Sequence, residues 1–172
     1  MKRIATLAAL LALTASCGQD VVINVDSMPW GNAAGTAASG TFSYNEVVTE
    51  SSCPSAIMGY DVPSVTDTWS TTATLTQEEG SLEMFLAPNT QRPVCQAGVA
   101  CWFDGGIYWH GNFRIGGTYY WVGPSVDLSL INLVDGRFTE GVDAFEGWIQ
   151  TRVQASDGTD CEIRFEFTGT RM

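Results

Sequence analysis

The sequence predicts an all-β fold, an antiparallel meander of roughly eight to ten strands that closes as a small barrel or folds as a β-sandwich. Apolar and polar residues alternate with a period of two between turn signals, the pattern of half-buried strands. No long stretch keeps the helical period of about 3.6. The connections are short, which forces antiparallel neighbours, because parallel pairs need long crossovers.

Strands are expected near 40–48, 67–77, 80–87, 106–115, 118–122, 125–133, 136–140, 144–154 and 160–170. In 69–77, Trp69, Ala73 and Leu75 oppose Ser70, Thr72, Thr74 and Thr76, and threonines suit a solvated strand face. In 106–115, Ile107, Trp109, Phe113 and Ile115 alternate with Tyr108, His110, Asn112 and Arg114. The last strand is the clearest, with Cys161, Ile163, Phe165 and Phe167 on one face and Glu162, Arg164, Glu166 and Thr168 on the other. Glu79-Gly80, Gly105-Gly106, Gly116-Gly117, Asp135-Gly136 and Asp157-Gly158 read as turns, several of them hairpin signals. Residues 49–66, with Ser51, Ser52, Pro54 and Pro63, read as a longer loop. Alternation and turn chemistry are shared by a sandwich and by a closed, lipocalin-like barrel, so both architectures remain open here.

The N-terminus is of a different kind. Met1-Lys2-Arg3 is basic, Ile4 to Leu13 is apolar, and Ala15-Ser16 are the small residues a signal peptidase accepts. The apolar run is far shorter than the ~20 residues that span a bilayer, so it reads as an export signal. With a cysteine directly after it, Leu13-Thr14-Ala15-Ser16-Cys17 resembles the lipobox of bacterial lipoproteins, with Thr14 where Leu is commoner. The resemblance implies cleavage before Cys17, a diacylglycerol thioether on its sulfur and an acylated α-amine. Stable anchoring takes more than one acyl chain, and this set supplies them. In that family Asp after the lipidated cysteine favours the inner membrane; Gly18 stands there, so the resemblance implies an outer-membrane location. The division expected is signal peptide 1–16, lipidated Cys17 and tether 17–39, and one all-β domain over 40–172.

Without Lys2 and Arg3 the chain has no lysine, and six arginines face nineteen acids. Such an acidic surface is repelled by phosphate backbones, which argues against nucleic-acid binding. With Cys17 lipidated, Cys53, Cys95, Cys101 and Cys161 are an even set in an exported chain, and two disulfides follow. Of three possible pairings, the favoured one is Cys95 with Cys101 in a short loop and Cys53 with Cys161 across the domain. The long loop would gain about 4 to 5 kcal/mol in the chain-entropy model. Zinc is disfavoured, since there is no CxxC pair and His110 is the only histidine.

The closing pattern Asp135-Gly136-Arg137-Phe138, Phe145-Glu146-Gly147 and Cys161 through Arg171 resembles the ends of small exported lipoproteins of Gram-negative bacteria. That group brings no established activity, so no functional residue is carried over.

Serine-type catalysis would need His110 beside a serine, yet there is no GxSxG elbow and His110 reads as a surface residue. Carboxylates are abundant, so a glycan hydrolase using a carboxylate pair is an alternative. Asp157-Gly158-Thr159-Asp160 hints at a calcium turn but lacks EF-hand spacing. No cofactor is expected. The aromatic crowd is more informative, because Trp102, Phe103, Tyr108, Trp109, Phe113, Tyr119, Tyr120 and Trp121 lie close in sequence. Consecutive strand residues face opposite sides, so these rings cannot share one core layer. Large rings filling the barrel are the commoner outcome; exposed clusters mark binding surfaces. The expected protein is a non-catalytic binding or structural module of the cell envelope. Its candidate ligand residues are Trp102, Tyr108, His110, Tyr120, Trp121 and Trp148, its membrane contact the lipid anchor, and its ligand a small molecule, a glycan or a protein. An inhibitor or assembly factor is a further alternative.

Overall fold

The computed structural model describes residue 25 and residues 28–57, 59–88, 101–122 and 127–172, with backbone alone at 121 and 122. Its strands are β1 (Gly40–Ser51), β2 (Ala56–Ile57), β3 (Tyr60–Asp61), β4 (Thr68–Glu78), β5 (Ser81–Leu86), β6 (Cys101–Ile107), β7 (Asn112–Val122), β8 (Asp127–Phe138), β9 (Ala144–Ala155) and β10 (Asp160–Arg171). Eight of them form a closed antiparallel barrel in the order β1-β10-β9-β8-β7-β6-β5-β4. Closure depends on β1, which pairs with β10 on one side (Phe42 opposite Arg171) and with β4 on the other (Phe42 opposite Ala73). The barrel, not the sandwich, is the architecture.

Alternation sorts residues as the sequence suggests. Cys161, Ile163, Phe165 and Phe167 are buried and Glu162, Arg164, Glu166 and Thr168 exposed. Trp69, Ala73 and Leu75 point inward from β4. An eight-stranded barrel has an interior just wide enough for side chains to fill. Phe42, Tyr44, Phe113, Phe138, Phe145 and Phe167 fill it near one end, with ring centroids 5.1 Å apart for Phe42–Phe145 and 5.4 Å for Phe113–Phe138. Glycines make the room. Gly136 lies opposite Phe113, Gly147 opposite Phe167, and Gly169 opposite Phe145. A Cβ on Gly169 would lie 2.1 Å from the Phe145 ring, and one on Gly136 2.4 Å from the Phe113 ring.

These glycines overturn part of the expected strand map. Asp135-Gly136 is no turn; the segments expected at 125–133 and 136–140 are the single strand β8. Gly116-Gly117 lies within β7 and Gly105-Gly106 within β6. The segment expected as one strand over 106–115 is the β6–β7 hairpin. Its turn is at Tyr108 to Gly111, where the Gly111 N–H donates to the Tyr108 carbonyl (2.8 Å) and Gly111 takes φ 77°.

The N-terminal stretch also differs from a free tether. Over 28–39 the chain is seated on the barrel, with Val25 and Met28 buried. Its Gly31 N–H donates to Gly80 O (2.8 Å) and its Ala33 N–H to Ile107 O (3.1 Å). Glycine is again the reason. A Cβ on Gly106 would lie 2.5 Å from Pro29 O, and one on Gly116 2.8 Å from Val25 Cβ, so bare backbone on β6 and β7 lets the strap lie flat. Cys17, residues 18–24 of the expected tether and Trp121's side chain lie outside the described residues.

At the opposite end the 52–67 connection covers the barrel. It carries the small β2–β3 hairpin, and Ile57, Tyr60 and Val62 bury against the core. Cys53 and Cys161 are bonded there, closing a sequence separation of 108. Cys101 is disulfide-bonded as well; Cys95, its expected partner, lies outside the described residues. In the middle, Thr151 Oγ1 donates to Asn132 Oδ1 (2.7 Å), and Asn132 Nδ2 donates to the Gly117 and Leu130 carbonyls (3.2 and 3.0 Å). Buried amides need such partners, and this set ties β7, β8 and β9 at one level.

Two outcomes follow. Gly169→Ala is expected to cost about 1–3 kcal/mol by overpacking the Phe145 ring, read as a shift in the urea midpoint. Replacing Cys53 and Cys161 together by Ser should cost about 2–5 kcal/mol in the same measurement, because the bond closes nearly the whole domain.

Candidate functional site

The six candidate residues do not meet. Trp102 on β6 and Tyr120 on β7 point outward toward the end covered by 52–67, and are 50% and 77% exposed. Tyr108 and His110 sit in the β6–β7 turn at the other end, where the His110 ring lies 3.8 Å from that of Trp109. Trp148 faces outward from β9, on another part of the wall, half-buried. For Trp121 only the backbone is described, opposite Leu128.

Between β6 and β7 the ladder runs only from Ile107↔Phe113 to Asp104↔Gly116. Above it the Tyr119 hydroxyl hydrogen-bonds to both the N–H and the C=O of Trp102. Tyr119 also packs edge-on to Phe103 at 5.9 Å. Of the aromatic crowd, Phe103 and Phe113 fill the core, Tyr119 bridges two strands, and Trp102, Trp109 and Tyr120 stay outside.

A concavity lies on the outer wall around Trp148. It is a groove of about 670 Å³ running across β4, β1, β10 and β9. The registers build it from two outward rows. One is Thr68, Val47, Glu166 and Trp148; the other is Ser70, Asn45, Thr168 and Glu146. The strands are about 4.8 Å apart, so four of them make a trench on the order of 14 Å long. Ser70 Oγ donates to Asn45 Oδ1 (2.6 Å), fixing one rim, and the Arg164 guanidinium sits 5.2 Å from the Trp148 ring centroid, a cation–π contact. Beneath the trench, Tyr44 donates its hydroxyl proton to Glu46 Oε2 (2.8 Å) inside the barrel.

Of this constellation only Trp148 is among the candidate ligand residues read from the sequence. Parity puts Arg164 and Glu166 on the outer face, but only the register sets Glu166 opposite Trp148. A smaller depression of about 340 Å³ joins Trp102 and Phe85, ring centroids 5.8 Å apart, to Glu83, Thr74 and Thr76.

The acidic β9–β10 turn uses its carboxylates internally. Asp157 Oδ1 accepts from the Thr159 N–H (2.9 Å), and Asp160 forms a two-pronged pair with Arg152 (2.8 and 2.6 Å). Among the described residues, no three His, Cys, Asp or Glu side chains gather as a metal-ligand set. The Thr159 backbone N–H lowers the Asp157 pKa, and the Arg152 hydrogen bond lowers that of Asp160. A carboxyl lowered on folding contributes stability present above its unfolded pKa and lost as pH falls through the folded value. In an NMR pH titration the Asp160 carboxyl should therefore titrate below the ordinary Asp range, and Arg152→Ala should bring it back up. An unshifted midpoint in the parent would remove the pair as its cause.

No family model, curated protein or solved structure matches the chain, so the site stands on its own geometry. The class it defines is a closed eight-stranded antiparallel barrel with an open polar-aromatic groove on its outer wall.

Proposed function

We propose that this is a lipid-anchored lipoprotein of the cell envelope, held at the outer membrane through Cys17. In this reading its barrel is a non-catalytic module that binds a glycan chain across the Trp148 groove. The carrying observation is the groove's composition and shape. The outward indole of Trp148 stands among the hydroxyls of Thr68, Ser70 and Thr168, the amide of Asn45 and the carboxylates of Glu146 and Glu166. Hydroxyls, amides and carboxylates pair with sugar hydroxyls, and an aromatic ring accepts the apolar C–H face of a sugar. A trench lying across four strands favours an extended chain. The two carboxylates disfavour an anionic polymer and favour a neutral or amine-bearing one.

The test is intrinsic tryptophan fluorescence of the full chain, titrated with neutral and amine-bearing glycans. Saturable binding is expected, weakened at least tenfold (about 1.4 kcal/mol) in Trp148→Ala while the urea midpoint holds. Binding that ignores Trp148→Ala would sink this reading. The same titration addresses the hydrolase alternative, which rests on Glu146 and Glu166 standing on opposite rims. Turnover of the bound glycan, lost in Glu166→Gln, would make the groove an active site.

A further inference from the structure

We infer that the outer wall of β6 and β7, carrying Trp102 and Tyr120, is the face that rests on the bilayer holding the acyl chains of Cys17. The inference builds on the lipid-anchor reading and adds an orientation to it. It begins with the path of the strap. Gly31 meets Gly80 and Ile107 at one end of the barrel; Pro29 crosses Gly106, Met28 touches Gly105, and Val25 lies on Gly116. Gly116 is level with Asp104, so between 31 and 25 the chain climbs this wall toward Trp102, two residues past Asp104, and Tyr120, four past Gly116.

Chain length confines the anchor. Eight residue steps separate Cys17 from Val25, a reach of at most about 28 Å. The wall from Gly116 to Tyr120 is itself about 13 Å long. The acyl chains are thus tied close to two outward rings that no other part of the described chain buries. Trp and Tyr combine an apolar body with a polar tip, the combination that settles at the headgroup level of a bilayer. Phe85 supports Trp102 edge-on from β5 and extends the apolar strip.

The charges around the strip set its depth and its lipid. Glu83 and Asp104 face each other across β5 and β6, one row below Phe85 and Trp102. Farther down, Arg114 on β7 is paired with Asp135. These carboxylates, which form no ion pair among the described residues, keep the contact shallow and favour a zwitterionic surface over an anionic one.

The experiment uses the full chain purified from bacterial membranes, its acyl chains verified by intact mass. It is reconstituted in phosphatidylcholine vesicles whose acyl chains carry bromine next to the headgroup, and tryptophan quenching is read. Bromine should quench the parent, and Trp102→Phe should at least halve the quenched share. Adding anionic phosphatidylglycerol should reduce quenching in the parent. An acylated protein whose emission ignores bromine would overturn the orientation and leave the anchor standing. Quenching that follows Trp30→Phe or Trp109→Phe would put the opposite end of the barrel on the bilayer and overturn it as well. A mass without acyl chains would remove the anchor and the docking face together.

Discussion

Interior volume is the constraint on which this barrel depends. Eight strands enclose a space that side chains just fill, and this sequence places six large rings near one end of it. They fit because three positions facing them, Gly136, Gly147 and Gly169, carry no side chain. One inward row reads Phe113, Gly136, Gly147, Phe167; the row beside it reads Phe138, Phe145, Gly169, Tyr44. Rings and bare positions share both rows, so Phe145 meets Phe42 and Phe138 edge to face rather than colliding with them. A slip of register by one residue would turn every ring to solvent, so the same packing that fills the core also fixes the pairing of β7 to β10 and β1.

That constraint explains what could and could not be read in advance. The all-β class and the parity of the faces were legible because alternation is a local property, as β10 shows residue by residue. The number and lengths of the strands were only partly legible. Gly105, Gly106, Gly116, Gly117 and Gly136 look like turn punctuation, yet all five stand inside strands. A missing side chain serves a tight turn and a close packing contact equally well, and a one-dimensional pattern holds no sign of what approaches from outside the strand. Gly136 makes way for Phe113, while Gly106 and Gly116 make way for the strap. By contrast Glu79-Gly80 and Asp157-Gly158 are turns, and there the two meanings coincide.

The candidate site was less legible than the fold for a related reason. Parity shows that the clustered rings cannot all share one core layer, but it gives neither the height of a residue along the barrel nor its bearing around it. Tyr108 and His110 belong to a turn at the far end from Trp102 and Tyr120. Trp148 gains its surroundings from β1, β4 and β10, which lie up to about 100 residues away from it in sequence, a distance closure removes. The Arg164 guanidinium over Trp148 and the paired rims of the trench are products of register, which emerges only once strands are laid side by side.

The dual pairing of β1 bears on how the protein comes to be folded. The first strand of the barrel is synthesised early and can join β4 at once, but its other edge has no partner until the last strand arrives. Until Arg171 is made and delivered, β1 exposes a row of unpaired amides and carbonyls, the feature that drives chains to pair with one another. The final event joins residues more than a hundred positions apart, which makes closure slow as well as late. A chain built this way depends on being kept apart from its own copies until its last strand is in place.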